Sequence, residues 1–114
     1  MKGRNSMDNF LYKDERYRSA KVVNGMSMAG PRAHLRGMGF SNEDMQKPFI
    51  GVINTHNEFH PGHIHLDKIA DQVKGGILEA GGLPFEVNTI SICDGFTQGH
   101  EGMCSVLPSR EVIA

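Results

Sequence analysis

Tryptophan is absent from this chain of 114 residues, tyrosine occurs twice, and only two cysteines are present. Two thiols are too few for the disulfide framework of a small secreted domain, so Cys93 and Cys104 read as reduced thiols or metal ligands. No apolar run approaches the length that a membrane-spanning helix needs. The opening "MKGRNSMDNFLYKDERYR" carries early positive charge but no apolar core, which excludes a secretory signal. Neither sign of charge dominates: 12 Lys and Arg face 13 Asp and Glu, and the two signs are mixed along the chain. That balance offers no stripe for nucleic acid, no polybasic patch for a membrane and no acidic tail. The expectation is a soluble, cytoplasmic protein.

What is present supports one core. Apolar residues make up 39% of the chain, enough for a single domain, with aliphatic and methionine side chains filling it. Residues 1–14 are polar and aperiodic and read as an arm. From Asp14 to about Gly39 the pattern is helical, and Gly25 and Gly30-Pro31 divide it into two helices. Ala33, Leu35 and Met38 fit the inner face of the second, Gly37 and Gly39 its end, and "SNEDMQKP" a polar connection. "PFIGVINT", Pro48 to Thr55, is a short apolar run with Val and Ile and predicts a strand covered on both faces. Leu66, Ile69, Ala70, Val73, Ile77 and Leu78 recur at helical spacing, and Gly81-Gly82 closes that helix. "PFEVNTISI", Pro84 to Ile92, predicts a second strand.

Strand, helix and strand in this order make a βαβ unit, hence a parallel sheet flanked by helices in a three-layer α/β/α arrangement. Ligands of such sheets gather at the carboxyl ends of the strands. Both polar clusters of the chain, residues 54–65 and 93–104, follow strands and share that edge. "LPSREVIA" opens a final helix with Pro108 in its first turn and Ser109 as an N-terminal capping residue. About two turns later the residues run out on Val112-Ile113-Ala114. The expectation is therefore an incomplete, N-terminal part of a larger domain over residues 15–114.

The first cluster, "HNEFHPGHIH", holds His56, His60, His63 and His65 with Asn57 and Glu58 among them. Imidazoles at short range bind zinc, but this spacing matches no standard zinc pattern, and Pro61-Gly62 bends the loop between them. Capping, hydrogen bonding or lining a substrate pocket are the other readings. The second cluster, "SICDGFTQGHEGMCSVLPSR", joins a soft ligand, Cys93, to a hard one, Asp94. Gly95, Gly99 and Gly102 let a backbone approach a small anion closely. The same residues also suit a strand end and a turn, with Cys93 as a small buried side chain. Cys104 reads as an inert small residue. Arg110 suits a carboxylate or solvent. The residues alone leave these alternatives open.

From about Arg32 to Ala114 the chain resembles the N-terminal part of the dihydroxy-acid dehydratase and 6-phosphogluconate dehydratase family. The resemblance runs through "RAHLRGMGF", "KPFIGVINTHNEFHPGHIHLDKIADQVKGGILEAGGLPFEVNTI" and "CDGFTQGHEGMCSVLPSREVIA". Its most specific part is Asp-Gly, then Gly-x-x-Gly-Met, then Ser-Arg-Glu. The resemblance implies a hydro-lyase that turns a 2,3-dihydroxy acid into a 2-keto acid with an iron–sulfur cluster and Mg²⁺. The branched-chain amino-acid enzyme is the first candidate and an aldonic or phosphogluconic acid dehydratase the second. It also implies that Asp94 binds Mg²⁺ and that Gly95, Thr97, Gln98, Gly99, His63 and Arg110 border the substrate. Pro61-Gly62-His63 stands where branched-chain enzymes typically carry Pro-Cys-Asn with a cluster cysteine. His60, His63 or Cys93 then remains to supply that iron ligand. The base and the other ligands are expected outside this chain, leaving residues 1–114 inactive alone, and a homo-oligomer is expected of the complete enzyme. From another class stands a non-catalytic metal-binding protein built on the histidine loop.

Overall fold

The computed structural model describes residues 13–114. Of the arm expected at 1–14, only Lys13 and Asp14 lie within them. By contact the chain divides into two compact units, one running through Ile50 and including Gly75–Phe85, the other made of Gly51–Lys74 and Glu86–Ala114. Two strands, β1 (Phe49–Asn54) and β2 (Leu83–Asn88), form a two-stranded sheet. Leu83 N–H donates to Pro48 O and Thr89 N–H to Asn54 O, a constant offset of 35 residues that makes the pair parallel. The expected parallel sheet flanked by helices is thus present. β2 ends at Asn88, short of the expected Ile92, and no regular element covers residues 89–93.

In the first unit, two short 3-10 turns, Arg18–Val22 and Met26–Met28, precede helix α1 (Ala29–Gly37). Gly30-Pro31 lies inside the first turn of α1 rather than breaking it. The N–H groups there have no helical partner, so proline removes no bond. The buried face is also not the expected one. Leu35 is buried, but Ala33 and Met38 are exposed and Arg32 turns inward. Its guanidinium donates to Val23 O at 2.5 Å and Gly25 O at 2.6 Å, closing the chain that leads into α1. A charged fork that saturates two carbonyls satisfies the rule that a buried charge needs partners.

The end of α1 follows expectation. Gly39, at φ +94°, lets Phe40 N–H reach Leu35 O and Gly39 N–H reach Arg36 O. "SNEDMQKP" folds further than a connection. Ser41 and Asp44 bond each other's backbone N–H reciprocally, starting the one-turn helix α2 (Asn42–Gln46) and burying Met45. Val23, Leu35 and Met45 then form a core against which Phe40, Phe49 and Phe85 pack. Phe85 meets Phe40 and Phe49 edge to face at 5.3 and 5.0 Å.

Helix α3 (Leu66–Glu79) stops as its sequence predicts. Gly81 has φ +89°, and its N–H and that of Gly82 return to Leu78 O and Ile77 O. A Cβ on Gly82 would lie 2.9 Å from Ile77 Cγ2 and 3.2 Å from Ile50 Cγ1, so the turn also needs a bare backbone there. In the second unit two further helices follow β2: α4 (Asp94–Thr97), a single turn, and α5 (Val106–Ile113). Pro108 occupies the first turn of α5, as expected. Ser109 lies one residue further inside the helix, and Ser105 holds the capping position without a side-chain bond. No helix among the described residues is long and apolar enough to cross a membrane.

Two outcomes follow from this packing. Gly81→Ala forces a side chain into the left-handed region and should lower stability by about 1–2 kcal/mol, read from chemical unfolding; an unchanged midpoint refutes that role. Lys13 is fully buried, with Nζ 3.5 Å from the Phe49 ring centre and no hydrogen-bond partner among the described residues. Desolvation lowers its pKa from 10.5 to about 8. Between those two values the unfolded chain binds more protons than the folded one, so stability rises with pH across that window. Thermal midpoints should therefore climb from about pH 8 to 10.5 in the wild type relative to Lys13→Met, and parallel curves would reject the assignment.

Candidate functional site

The histidine loop and the Asp94 turn both belong to the second unit. Asn54, the last residue of β1, fixes the base of the loop. Only 6% of it is exposed, and its side chain makes three hydrogen bonds. Nδ2 donates to Leu66 O at 3.3 Å and to Glu86 Oε2 at 3.0 Å, while Oδ1 accepts from His56 N–H at 3.0 Å. One amide thereby ties the start of the loop, its end and β2 together. Glu86 is held in turn by Lys74 at 3.5 Å, and Lys74 pairs with Asp71 at 3.2 Å. Hydrogen bonding to Asp71 is the main reason the Lys74 pKa is raised.

Within the loop two rings have a definite proton arrangement. His63 Nδ1 lies 2.9 Å from Thr55 O and must carry its proton there, so the neutral ring presents a lone pair at Nε2. His60 is the reverse: Nδ1 accepts from Gly62 N–H at 2.9 Å, which moves its proton to Nε2. The two rings stack with centres 4.3 Å apart and planes 30° apart. One acceptor and one donor thus stand side by side. Gly62 is close to His60, since a Cβ on it would lie 3.0 Å from His60 Cε1. His56 is 4.0 Å from Asp67, which belongs to the first turn of α3. Among the described residues no three of His, Cys, Asp and Glu converge on a common metal position.

Cys93 ends the irregular stretch after β2 in extended conformation, half-buried, at the head of α4. Asp94 follows with its carboxylate half-exposed, and Oδ1 accepts from Arg110 of α5 at 2.8 Å. These two expected site residues are therefore in contact. Thr97 Oγ1 donates within the same turn, 3.4 Å from Cys93 O and from Asp94 O. Gln98 N–H closes the turn on Asp94 O at 2.9 Å, and Gly99 leaves it at φ +89°. Gly95 has no such constraint, because an added Cβ would meet Cys93 Sγ at an ordinary 3.6 Å. Cys93 and Thr97 border a small hollow with Ser91, Gly102 and Ser109. Cys104 lies on a different one, with Ile90 and Pro108.

Sequence reasoning singled out Asp94 and Arg110 separately and missed both Asn54 and His100. His100 is fully engaged: Nδ1 accepts from Gly102 N–H at 3.0 Å, and Nε2 donates to Phe96 O at 2.8 Å. It braces the turn and has no ring nitrogen left for a ligand. Asn54 had a signal, a polar residue closing an apolar strand, where an unpartnered amide would be costly. Asn54→Ala should lower stability by about 1–3 kcal/mol by leaving His56 N–H without its acceptor and removing the donor to Leu66 O and Glu86 Oε2, as read by denaturant unfolding. Stability within a few tenths of wild type would show that the amide is not the anchor.

Comparison with known proteins gives the family. Residues 47–114 match the family described as Dihydroxy-acid/6-phosphogluconate dehydratase N-terminal. Over 96 residues the chain is 55% identical to Dihydroxy-acid dehydratase 1 of Methanosarcina acetivorans, covering 84% of this chain and 17% of that protein. It is equally identical to a dihydroxy-acid dehydratase of Methanococcus maripaludis, with 84% and 18% covered. That of Archaeoglobus fulgidus is 50% identical over 97 residues, with 85% and 18% covered. The chain thus spans less than a fifth of the length of these curated relatives, and over its own larger part it belongs to the dihydroxy-acid/6-phosphogluconate dehydratase family.

Proposed function

We propose that this chain is the N-terminal part of a hydro-lyase that dehydrates a 2,3-dihydroxy carboxylic acid to a 2-keto acid. The proton on C2 and the hydroxyl on C3 leave as water, and the enol product rearranges to the keto acid. The observation that carries this reading is Asp94, a half-exposed carboxylate at the strand's carboxyl side, bound through one oxygen by Arg110 within the family-matching stretch. Support for the dihydroxy-acid branch comes from the names of the relatives, all dihydroxy-acid dehydratases. The family description also admits 6-phosphogluconate, which is the second reading.

The residues fit the metal that such chemistry uses. Mg²⁺ takes one or two protein carboxylates and keeps its waters, and Asp94 offers a hard oxygen, Oδ2, with no hydrogen bond among the described residues. When bound, Mg²⁺ polarises substrate oxygens and stabilises developing negative charge. Arg110 holds Asp94 in one orientation and has further N–H groups for a substrate carboxylate. With their Nδ1 atoms engaged in the loop, His63 Nε2 would accept a hydrogen bond from a substrate hydroxyl and His60 Nε2–H would donate one. An iron–sulfur cluster is held by several thiolates, commonly four. Cys93 would provide one here, Cys104 borders another hollow, and the remaining ligands would lie outside these residues. A cytoplasmic, homo-oligomeric enzyme is part of the same proposal.

The test is the full-length protein, prepared without oxygen and assayed on 2,3-dihydroxyisovalerate, gluconate and 6-phosphogluconate. Iron, sulfide and Mg²⁺-dependent turnover of the first are expected, with no turnover by residues 1–114 alone. Asp94→Asn should cost at least the roughly 10- to 100-fold that disturbing a metal's outer partners costs. A colourless protein that carries zinc and dehydrates none of the three acids would favour a metal-binding role for the histidine loop instead.

A further inference from the structure

Two phenylalanine rings stack on the surface of the second unit in the middle of the polar clusters. Phe59 is 70% exposed and Phe96 47%, yet their centres are 4.2 Å apart with planes 30° from parallel. Phe59 belongs to the histidine loop, immediately before His60, and Phe96 is the third residue of α4, two beyond Asp94. Both backbones are aimed by local bonds. Asn57 Oδ1 accepts from Phe59 N–H at 2.6 Å, and Phe96 O accepts from His100 Nε2 at 2.8 Å. Among the described residues no hydrogen bond joins residues 55–65 to residues 93–97. The stack therefore joins two loops that the backbone leaves separate.

We propose that Phe59 is a positioning residue whose stack on Phe96 clamps the histidine loop to the Asp94 turn. Its role toward Mg²⁺ rests on the dehydratase reading; the clamp itself rests on the stack. α4 is one turn long, and the bonds within it, Phe96 N–H to Cys93 O at 3.3 Å and Gln98 N–H to Asp94 O at 2.9 Å, are exposed to water. A turn this short needs an outside contact to hold its shape. Arg110 grips it at the carboxylate of Asp94 and Phe59 at the ring of Phe96. With both in place, Oδ2 of Asp94 and Nε2 of His63 keep a fixed separation. Without the ring of Phe59, the loop that carries His60 and His63 is free to move away from the turn.

The experiment compares wild type, Phe59→Ala and Phe59→Tyr in the full-length protein. Amide hydrogen exchange at Phe96 and Gln98 should speed up about 2- to 10-fold in Phe59→Ala, the range set by one aromatic pair, and stay at the wild-type rate in Phe59→Tyr, which keeps a ring to stack. Calorimetric Mg²⁺ affinity should weaken over the same range in the first variant and recover in the second. Unchanged exchange at Phe96 and Gln98 in Phe59→Ala, or equal acceleration in both variants, would overturn the clamp. Faster exchange with unaltered Mg²⁺ affinity would overturn its role in positioning the metal ligand. A wild-type protein that binds no Mg²⁺ would remove the dehydratase reading and leave exchange alone to decide the clamp.

Discussion

A buried amide that must find partners for both of its ends organises the second unit. Asn54 lies at the point where an apolar strand gives way to a polar loop, and burial there turns hydrogen bonding into an obligation. Its three bonds reach Leu66, Glu86 and His56, residues far apart in sequence. The start of the loop, the start of α3 and β2 are thereby tied together by one side chain. The proton positions on His63 and His60 are set by nearer groups, the Thr55 carbonyl and the Gly62 N–H that the two rings face.

Much of the fold was legible because its signals are local. The apolar run of β1 and the spacing of Leu66 to Leu78 are hydrophobic patterns along the chain, and Gly81 supplies the left-handed conformation that ends α3. The misreadings share a cause. Pro31 looked like a breaker because its missing N–H matters inside a helix and not in a first turn. Arg32 was absent from the expected inner face because its guanidinium finds two carbonyls that only the folded turn before α1 brings together. Met45 disappeared into a polar run whose capping pair, Ser41 and Asp44, was in plain view.

The candidate site was legible as chemistry and not as geometry. Cys93, Asp94 and Arg110 stood out by residue type, but the contact between Asp94 and Arg110 depends on where α5 begins. His100 carried no reading in sequence and proved to be a brace, with both nitrogens occupied by the backbone. Phe59 gave no signal at all, because an isolated phenylalanine in a polar loop is unremarkable until its partner is known.

The close approach of Gly62 to His60 bears on how such a loop can change its chemistry. A side chain at position 62 would begin 3.0 Å from the imidazole of His60. That ring also accepts the N–H of residue 62 and stacks on His63, so moving it disturbs two contacts at once. Positions 60 and 62 therefore behave as a linked pair. A side chain that entered this loop at 62 would need the ring of His60 to give way by a few tenths of an ångström, at the expense of its bond to the residue 62 N–H and its stack on His63.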